Sequence, residues 1–218
     1  MHSAFLTNAD GKRTDFIFTK SITEPCLFIC HSSRGIIGCL VWIDDIWISF
    51  NGRPFYLDFK TIYQKRFPST FKEPCDKFVG ITVDHNHKER SLSFSQIPFI
   101  EKAHAKFMPK DRTAVDIPAL HDRKNTRHYS KFTTAPSESQ RMSMRELPYL
   151  ALYATLLFAN VMTLPSITYN MSFLGQFMQD PSPDQWEALL DVLSYCYSTR
   201  KQNVIRYQMV SEPTVPKP

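Results

Sequence analysis

Two runs of apolar residues near the start of the chain have the composition of β-strands. They span residues 26–30 and 36–50, and the polar stretch between them contains Gly35, a residue type that tight turns favour. The second run is interrupted by two adjacent carboxylates, Asp44 and Asp45. The pattern therefore predicts antiparallel strands that end in a hairpin with an acidic tip.

Helical and strand patterns alternate in the next part of the chain. Apolar residues recur at helical spacing over residues 55–67, directly after a proline that is placed for a first helical turn. Residues 77–83 and 91–95 are rich in strand-forming residues on either side of a polar segment, which predicts a second hairpin. Helical spacing returns over residues 97–108 and stops at Pro109.

Only helical patterns follow. Residues 110–145 are rich in Arg, Lys, Ser, Thr and Pro, which predicts a linker or a mobile loop. Three helices are predicted after it, at about 147–162, 166–178 and 183–197. The fold class is therefore α+β in the first part and all-α in the second. We expect an α+β region at residues 1–109, a basic linker at 110–145 and a helical region at 146–200. A tail at residues 201–218 is expected to be disordered at its end.

Composition adds little about function. Of the 218 residues 43% are hydrophobic, enough for a sizeable core, and the net charge of +5 suits a polyanionic partner without specifying one. The five cysteines include no C-x-x-C pair, so we expect reduced thiols inside a cell, and the charged N-terminal region is unlike a secretory signal. Zinc binding by Cys26, Cys30 and His31 would need further ligands such as His85 or His87, and buried free thiols are the simpler interpretation.

One uncharged segment, residues 147–164, approaches the length needed to cross a bilayer. It contains Pro148 and Asn160 and is followed at once by Pro165, which favours a helix of the core instead. We therefore expect no membrane partner and keep membrane association through this segment as a weaker alternative.

Several short motifs occur in a fixed order along the chain. The acidic hairpin reads Leu40-Val41-Trp42-Ile43-Asp44-Asp45-Ile46-Trp47-Ile48, and a strand entry before it reads Ser21-x-x-Glu24-Pro25-Cys26-Leu27-Phe28. The second hairpin contributes Phe78-Val79-Gly80-Ile81 and Phe94-Ser95-Gln96-x-x-Phe99-Ile100. Together these motifs resemble the reverse transcriptase of Ty1/copia-type retrotransposons, whose active-site hairpin places two aspartates between hydrophobic strands.

Two further segments extend the resemblance towards the C-terminus. Phe107-Met108 is similar to the family's helix end, and Gln176-Phe177-Met178-x-x-Pro181-x-x-x-Gln185-Trp186-x-Ala188 to its Arg-Phe-Met-x-x-Pro-x-x-x-His-Trp-x-Ala stretch. The resemblance covers residues 21–199. It implies part of a polymerase palm, built of antiparallel hairpins and a crossing helix, followed by an all-α thumb and connection.

The resemblance also implies site residues, a cofactor and partners. Asp44 and Asp45 would be ligands of Mg²⁺, with Mn²⁺ as the alternative ion, because such polymerases bind metal through hard oxygen ligands. Phe78, Val79 and Gly80 resemble the primer grip. The implied activity is RNA-directed DNA polymerase, a nucleotidyltransferase, with an RNA or DNA template-primer and deoxynucleoside triphosphates as partners. A cluster of basic residues is a weaker candidate for binding nucleic acid, and a solvated linker explains it equally well. Its members are Arg123, Lys124, Arg127, His128 and Lys131.

A third catalytic aspartate, which the family places upstream in an Asp-Val-x-x-Ala-Phe-Leu stretch, is expected to be absent. Ala4-Phe5-Leu6 either corresponds to the end of that stretch, so that the aspartate would fall before Met1, or belongs to a helix before Ser21. Asp10 and Asp15 are poor substitutes because neither lies in an apolar strand pattern. We expect the family's fingers to be missing as well.

The chain departs from the family at several other positions. Trp42 replaces a usual Tyr, Leu164 and Ser166 replace a charged Arg and Asp, and residues 195–199 differ from the family's Tyr-Leu-Lys-Gly-Thr. These losses suggest relaxed constraint. Our first hypothesis is a reverse-transcriptase-like fragment of a retrotransposon polyprotein that does not polymerise alone. The alternative is a non-catalytic nucleic-acid-binding or interaction remnant of a decayed element.

Overall fold

The computed structural model describes residues 3–7, 11, 13–112 and 136–208. The chain divides into two compact units, Met1–Val79 and Gly80–Pro218. Each unit has its own hydrophobic cluster. The division lies well before residue 109, where the sequence pattern placed it, because the helix at 97–107 packs with the later helices.

The first unit contains a five-stranded antiparallel sheet in sequential order, β1-β2-β3-β4-β5. The strands are β1 Ser3–Thr7, β2 Arg13–Lys20, β3 Leu27–Ser32, β4 Gly35–Trp42 and β5 Asp45–Asn51. The last three confirm the predicted strands. The first two were not predicted, and a helix at Ala4-Phe5-Leu6 is wrong, because Ala4 and Phe5 pair with Phe18 and Ile17 of β2.

One helix covers one face of this sheet. Helix α1 spans Arg53–Arg66, which confirms the prediction, and Pro54 lies in its first turn. Its buried Phe55 stacks on Phe16 of β2, and its buried Phe59 contacts Phe16 edge-to-face and Phe18 at a tilt. The other strand residues of this hydrophobic cluster lie on the same face of the sheet. They are Cys30, Ile37, Cys39, Phe28, Ile46 and Ile48. The core of the first unit therefore lies between α1 and a single face of the sheet.

The second unit combines a small sheet with a group of helices. Strands β7 Ile81–Asn86, β8 Ser91–Ser95 and β9 Ile205–Gln208 are antiparallel neighbours. The helices are α2 Ile97–Phe107, α3 Glu138–Met144, α4 Tyr149–Met162, α5 Thr168–Leu174 and α6 Pro183–Ser198, with single 3-10 turns on both sides of α5. Helix α6 contributes the largest share of the buried residues, including Leu189, Leu190 and Leu193.

Three sequence-based expectations need correction. Residues 77–83 do not form one strand: the short strand β6 Lys77–Phe78 ends at a turn in which Val79 and Gly80 both have positive φ values of 47° and 77°. The predicted linker contains α3, which begins at a capping box formed by Ser137 and Gln140. The tail contains β9, whose backbone pairs with β8. Residues 113–135 and 209–218 lie outside the described residues.

The membrane alternative is not supported. Helix α4, the main part of the uncharged segment, has 14 residues, or roughly 21 Å at about 1.5 Å per residue, against a hydrocarbon thickness of about 30 Å. Five of its residues are buried in the second unit. Among the described residues, every helix falls short of the length and apolarity that a membrane span requires.

Candidate metal and nucleic-acid site

The two adjacent aspartates lie at the tip of the β4–β5 hairpin. Trp42 pairs with Asp45, so Ile43 and Asp44 are the two residues of the turn. Of these two, Ile43 has the positive φ, at 51°. A positive φ at the first turn position is the pattern of a II′ hairpin turn, where glycine is preferred. A β-branched residue in this conformation is strained, and such strain is concentrated at functional sites.

Strand alternation decides which face of the sheet Asp45 joins. Successive side chains of a strand point to opposite faces, so Asp45 shares a face with Trp47, and its cross-strand partner Trp42 lies on that face too. Ile46 and Ile48 point the other way, into the cluster beneath α1. Asp45 therefore lies on the face of the sheet opposite α1, which we call the open face. Its members are Asp15, Ile17, Thr19, Leu27, Ile29, His31, Ile36, Gly38, Leu40, Trp42, Asp45, Trp47, Ser49 and Asn51.

The open face carries exposed apolar side chains. Trp42 is 49% exposed, and Ile17 and Ile36 are exposed to similar extents. Trp47 is held in place because its indole Nε1 donates to Ser49 Oγ at 2.9 Å. Gly38 adds no side chain to this face, and the space beside it is open. A Cβ added at Gly38 would come no closer than 4.0 Å to another group, the Ser49 carbonyl oxygen.

The carboxylates of Asp44 and Asp45 are exposed, and no described residue forms an ion pair or a hydrogen bond with either side chain. They are hard oxygen ligands of the kind that Mg²⁺ binds. Within the described residues, however, no group of three or more His, Cys, Asp or Glu side chains could hold a metal ion. The oxygens of Asp44 and Asp45 are thus of the kind that Mg²⁺ binds, but the described part of the chain brings no third such ligand to them.

Asp15 does not complete this set. It lies in β2, so the expectation that it falls outside a strand is wrong: the neighbouring Phe16 is buried and Asp15 is exposed on the alternate face. Asp15 precedes Phe18 by three positions, towards the β3–β4 turn, whereas Asp45 lies at the other end of the strands. Along the strand direction alone the two residues are offset by roughly 26 Å, at about 3.3 Å per residue. Asp10 lies outside the described residues.

The structure brings Phe78 to the open face. Its ring contacts the Trp47 indole edge-to-face, with 5.5 Å between the ring centroids. Val79 and Gly80 follow in the tight turn described above, so Gly80 serves a turn and not the interior of a strand. This contact and the strain at Ile43 could not be found from the sequence motifs, because both depend on which face each side chain joins.

The remaining sequence candidates gain no support. Arg123, Lys124, Arg127, His128 and Lys131 lie outside the described residues. All five cysteines are free. Cys30 and Cys39 are buried beneath α1, and burial raises the pKa of the Cys39 thiol to about 12, which leaves it protonated and a poor metal ligand. His31, the neighbour of Cys30, is exposed on the opposite face of β3.

Comparison with known proteins finds relatives among transposon polyproteins. The chain is 24% identical over 183 residues to the retrovirus-related Pol polyprotein from transposon TNT 1-94 of Nicotiana tabacum, covering 84% of this chain and 14% of the polyprotein. It is 29% identical over 182 residues to the corresponding polyprotein from transposon RE2 of Arabidopsis thaliana, covering 84% and 12%. A putative transposon Ty5-1 protein of Saccharomyces cerevisiae is 24% identical over 195 residues, covering 89% and 59%.

The homologues are thus Pol polyproteins of Ty1/copia-type retrotransposons, at low identity but over most of the chain, which supports an origin in such an element. The chain spans about an eighth of the length of the two plant polyproteins. No family model matches the chain, and no solved structure matches it.

Proposed function

We propose that the chain is a reverse-transcriptase-like fragment of a copia-type polyprotein and is inactive as a polymerase by itself. One observation supports this most directly: a strained hairpin turn presents Asp44 and Asp45 at the end of an antiparallel sheet whose other face is closed by a helix. A palm needs this arrangement, because carboxylates and nucleic acid must meet on a face that no helix covers. The origin in a retrotransposon is consistent with it.

Asp44 and Asp45 are the residues that would hold Mg²⁺. The ion, when bound, activates the primer hydroxyl and neutralises charge on the triphosphate. The pairing of Trp42 with Asp45 and the positive φ of Ile43 define the turn that carries the two carboxylates, and no described residue forms a hydrogen bond with either side chain. Since the third carboxylate is not among those residues, we derive no nucleotide-transfer step for the chain alone.

The open face is the proposed surface for the template-primer. Exposed Trp42 offers a planar apolar surface beside Asp45, and aromatic rings of this kind stack on bases. Phe78, in the primer-grip-like motif, packs against Trp47 on the same face. A net charge of +5 favours association with a polyanion.

A second candidate is a non-catalytic nucleic-acid-binding remnant. It is favoured because the described residues bring no third carboxylate to Asp44 and Asp45, whereas binding on the open face needs none. The two candidates differ in one respect: only the first requires that the carboxylates at positions 44 and 45 serve metal-dependent incorporation.

Primer extension on an RNA template with Mg²⁺ tests the proposal. We expect no incorporation by the chain alone, and incorporation once an upstream palm-and-fingers segment of the same element is supplied. Asp44→Asn should abolish that activity, and Asp84→Asn, which removes an exposed carboxylate from β7 of the second unit, should retain it.

Two outcomes contradict the proposal. Incorporation by the chain alone that Asp44→Asn abolishes would show that the site is complete without the upstream segment. Template-primer binding with no incorporation in any combination would favour the non-catalytic remnant. Binding is measured in parallel by fluorescence anisotropy, at a stated salt concentration because phosphate contacts are salt-dependent.

A further inference from the structure

Strand β5 forms one edge of the five-stranded sheet, because among the described strands it pairs with β4 alone. This pairing runs from Asp45 to Asn51 without a bulge. The strand contains no Lys and no Pro, two residue types that protect the edges of natural sheets, and its charged residue is the first one. A long and regular edge of this kind is a template for pairing with another strand.

The backbone groups that this edge offers follow from the register. The Val41 N–H donates to the Cys26 carbonyl at 2.9 Å, so the backbone of Val41 faces β3 and that of Trp42 faces β5. Trp42 pairs with Asp45, so the backbone groups of Asp45 and of every second residue after it face β4. The residues whose N–H and C=O groups face away from β4 are Ile46, Ile48 and Phe50. Within the part of the chain that the structure describes, no backbone hydrogen bond from outside the sheet reaches these three.

A second copy of β5 is complementary to this edge. When Ile48 lies opposite Ile48 of the second copy in an antiparallel pair, all the outward-facing residues form hydrogen-bonded pairs, with Ile46 opposite Phe50. The paired side chains are then apolar on the face covered by α1, where Phe50 is 38% exposed and the two isoleucines are only partly buried. On the open face Trp47 lies opposite Ser49.

Charges at the two ends of β5 match in the same register. Asp45 lies opposite Asn51 of the second copy, so each carboxylate meets an amide and no like charges are opposed. The acidic tip also comes next to the start of α1 in the second copy, where the side chain of Arg53 is 60% exposed. Arg53 and Lys60 share Glu73 as their partner, so this group keeps a net positive charge.

We propose that the chain forms a twofold-symmetric dimer in which two β5 edges pair antiparallel about Ile48. The assembly closes at two copies, because each copy uses its β5 edge once. Cross-strand neighbours share a face, so the two open faces lie on the same side of one continuous sheet and both α1 helices on the other. Pairing over seven residues is at the weak end of interfaces, below about 1,200 Å², so the dimer dissociates on dilution. It does not depend on metal binding or on polymerisation.

Sedimentation velocity of the full chain over a wide range of concentration tests this proposal, with two variants of one exposed residue. Asn51→Asp sets two carboxylates opposite each other in both symmetric pairs, and should weaken dimerisation about tenfold. Asn51→Lys is the matched control, because the new charge is opposite Asp45 and should leave the dimer at least as tight. Circular dichroism at low concentration checks that both variants fold.

Amide hydrogen exchange provides a second measurement on the unmodified chain. The amides of Ile46, Ile48 and Phe50 should exchange rapidly in dilute solution and become protected at concentrations where the dimer forms. The amide of Trp47 faces β4 and should be protected at both concentrations.

Three results would overturn the proposal. The first is a monomer at every concentration, with no gain of protection at Ile48. The second is that the two Asn51 variants weaken association equally, which would exclude the register. The third is growth beyond two copies, which a closed twofold pair does not allow.

Discussion

At the scale of one residue, the backbone conformation of Ile43 indicates local strain. Its side chain is 84% exposed, so packing does not explain its presence, and its φ of 51° is unfavourable for a β-branched residue. Left-handed backbone costs such a residue about 1–2 kcal/mol. Glycine would remove that cost, so stability does not explain an isoleucine before the two aspartates.

We therefore expect Ile43→Gly to leave the stability unchanged or to raise it by up to about 1 kcal/mol, the relief of strain exceeding the entropy that glycine adds to the unfolded chain. Ile22→Gly is the matched control: Ile22 is 89% exposed and has no positive φ, so its replacement should destabilise by about 0.5–1 kcal/mol. Urea denaturation with an unchanged m-value measures both. Equal losses in the two variants would mean that the turn is not strained.

Glu73 is a second residue whose contribution to folding stability depends on its contacts. Its carboxylate accepts from Tyr56 Oη at 2.7 Å and from Lys60 Nζ at 2.9 Å, and it pairs with Arg53 at 3.0 Å, all three on α1. The hydrogen bonds from Lys60 and Tyr56 lower the pKa of Glu73. Its charged form is thus stabilised by folding, so the contribution is full above the ordinary glutamate pKa of about 4.3 and is lost as the pH falls through the lowered pKa.

Glu73→Gln should accordingly destabilise the chain by about 1 kcal/mol at neutral pH and by progressively less below about pH 4. Asp76→Asn removes an exposed ion pair with Lys72 and should have a smaller effect because solvent screens it. Free energies of unfolding across this pH range check both variants. A loss for Glu73→Gln that is independent of pH would show that shape, and not charge, holds the segment after α1 to that helix.

Helix ends illustrate the scale of the element. Ser182 begins α6 with a capping box: its Oγ accepts from the backbone N–H of Gln185, and the Gln185 side chain accepts from the backbone N–H of Ser182 at 2.7 Å. Both residues are buried, and α6 is the centre of the second core. Ser137 forms the same motif at α3, but that helix has seven residues and the cap is exposed.

The two caps form a matched pair for a stability measurement. Ser182→Ala should cost about 1–2 kcal/mol, the upper part of the usual range, since it leaves a buried N–H without its acceptor. Ser137→Ala should cost about 0.5 kcal/mol, because water can replace the cap. Thermal denaturation followed by circular dichroism compares them. A larger loss at Ser137 would contradict the central role given to α6.

At the scale of the whole molecule, the chain is two units whose cores share no residue. The core of the first unit is an antiparallel sheet closed on one face by α1, and that of the second is a helical cluster around α6. The proposed metal ligands and the open face all belong to the first unit.

The sequence by itself determined most of the elements and the origin of the chain. Hydrophobic periodicity and proline positions located β3, β4, β5, α1, α2, α4 and α6 because these depend on local patterns. The acidic hairpin tip was found for the same reason, and the ordered motifs led to retrotransposon polyproteins. Strands β1, β2 and β9 were missed, because each mixes polar with apolar residues and depends on pairing with a partner strand that local sequence does not indicate.

Only the tertiary structure decided which candidate residues lie close together. Strand pairing placed Asp45, Trp42 and Trp47 on one open face and put Asp15 at the far end of the sheet, which register fixes and composition does not. Strand pairing likewise placed Tyr207 of β9 opposite Leu92 of β8, which itself pairs with His85 of β7. A pattern read along the chain reports which side chains alternate or recur, whereas a site depends on which strands become neighbours, and that is set by long-range packing.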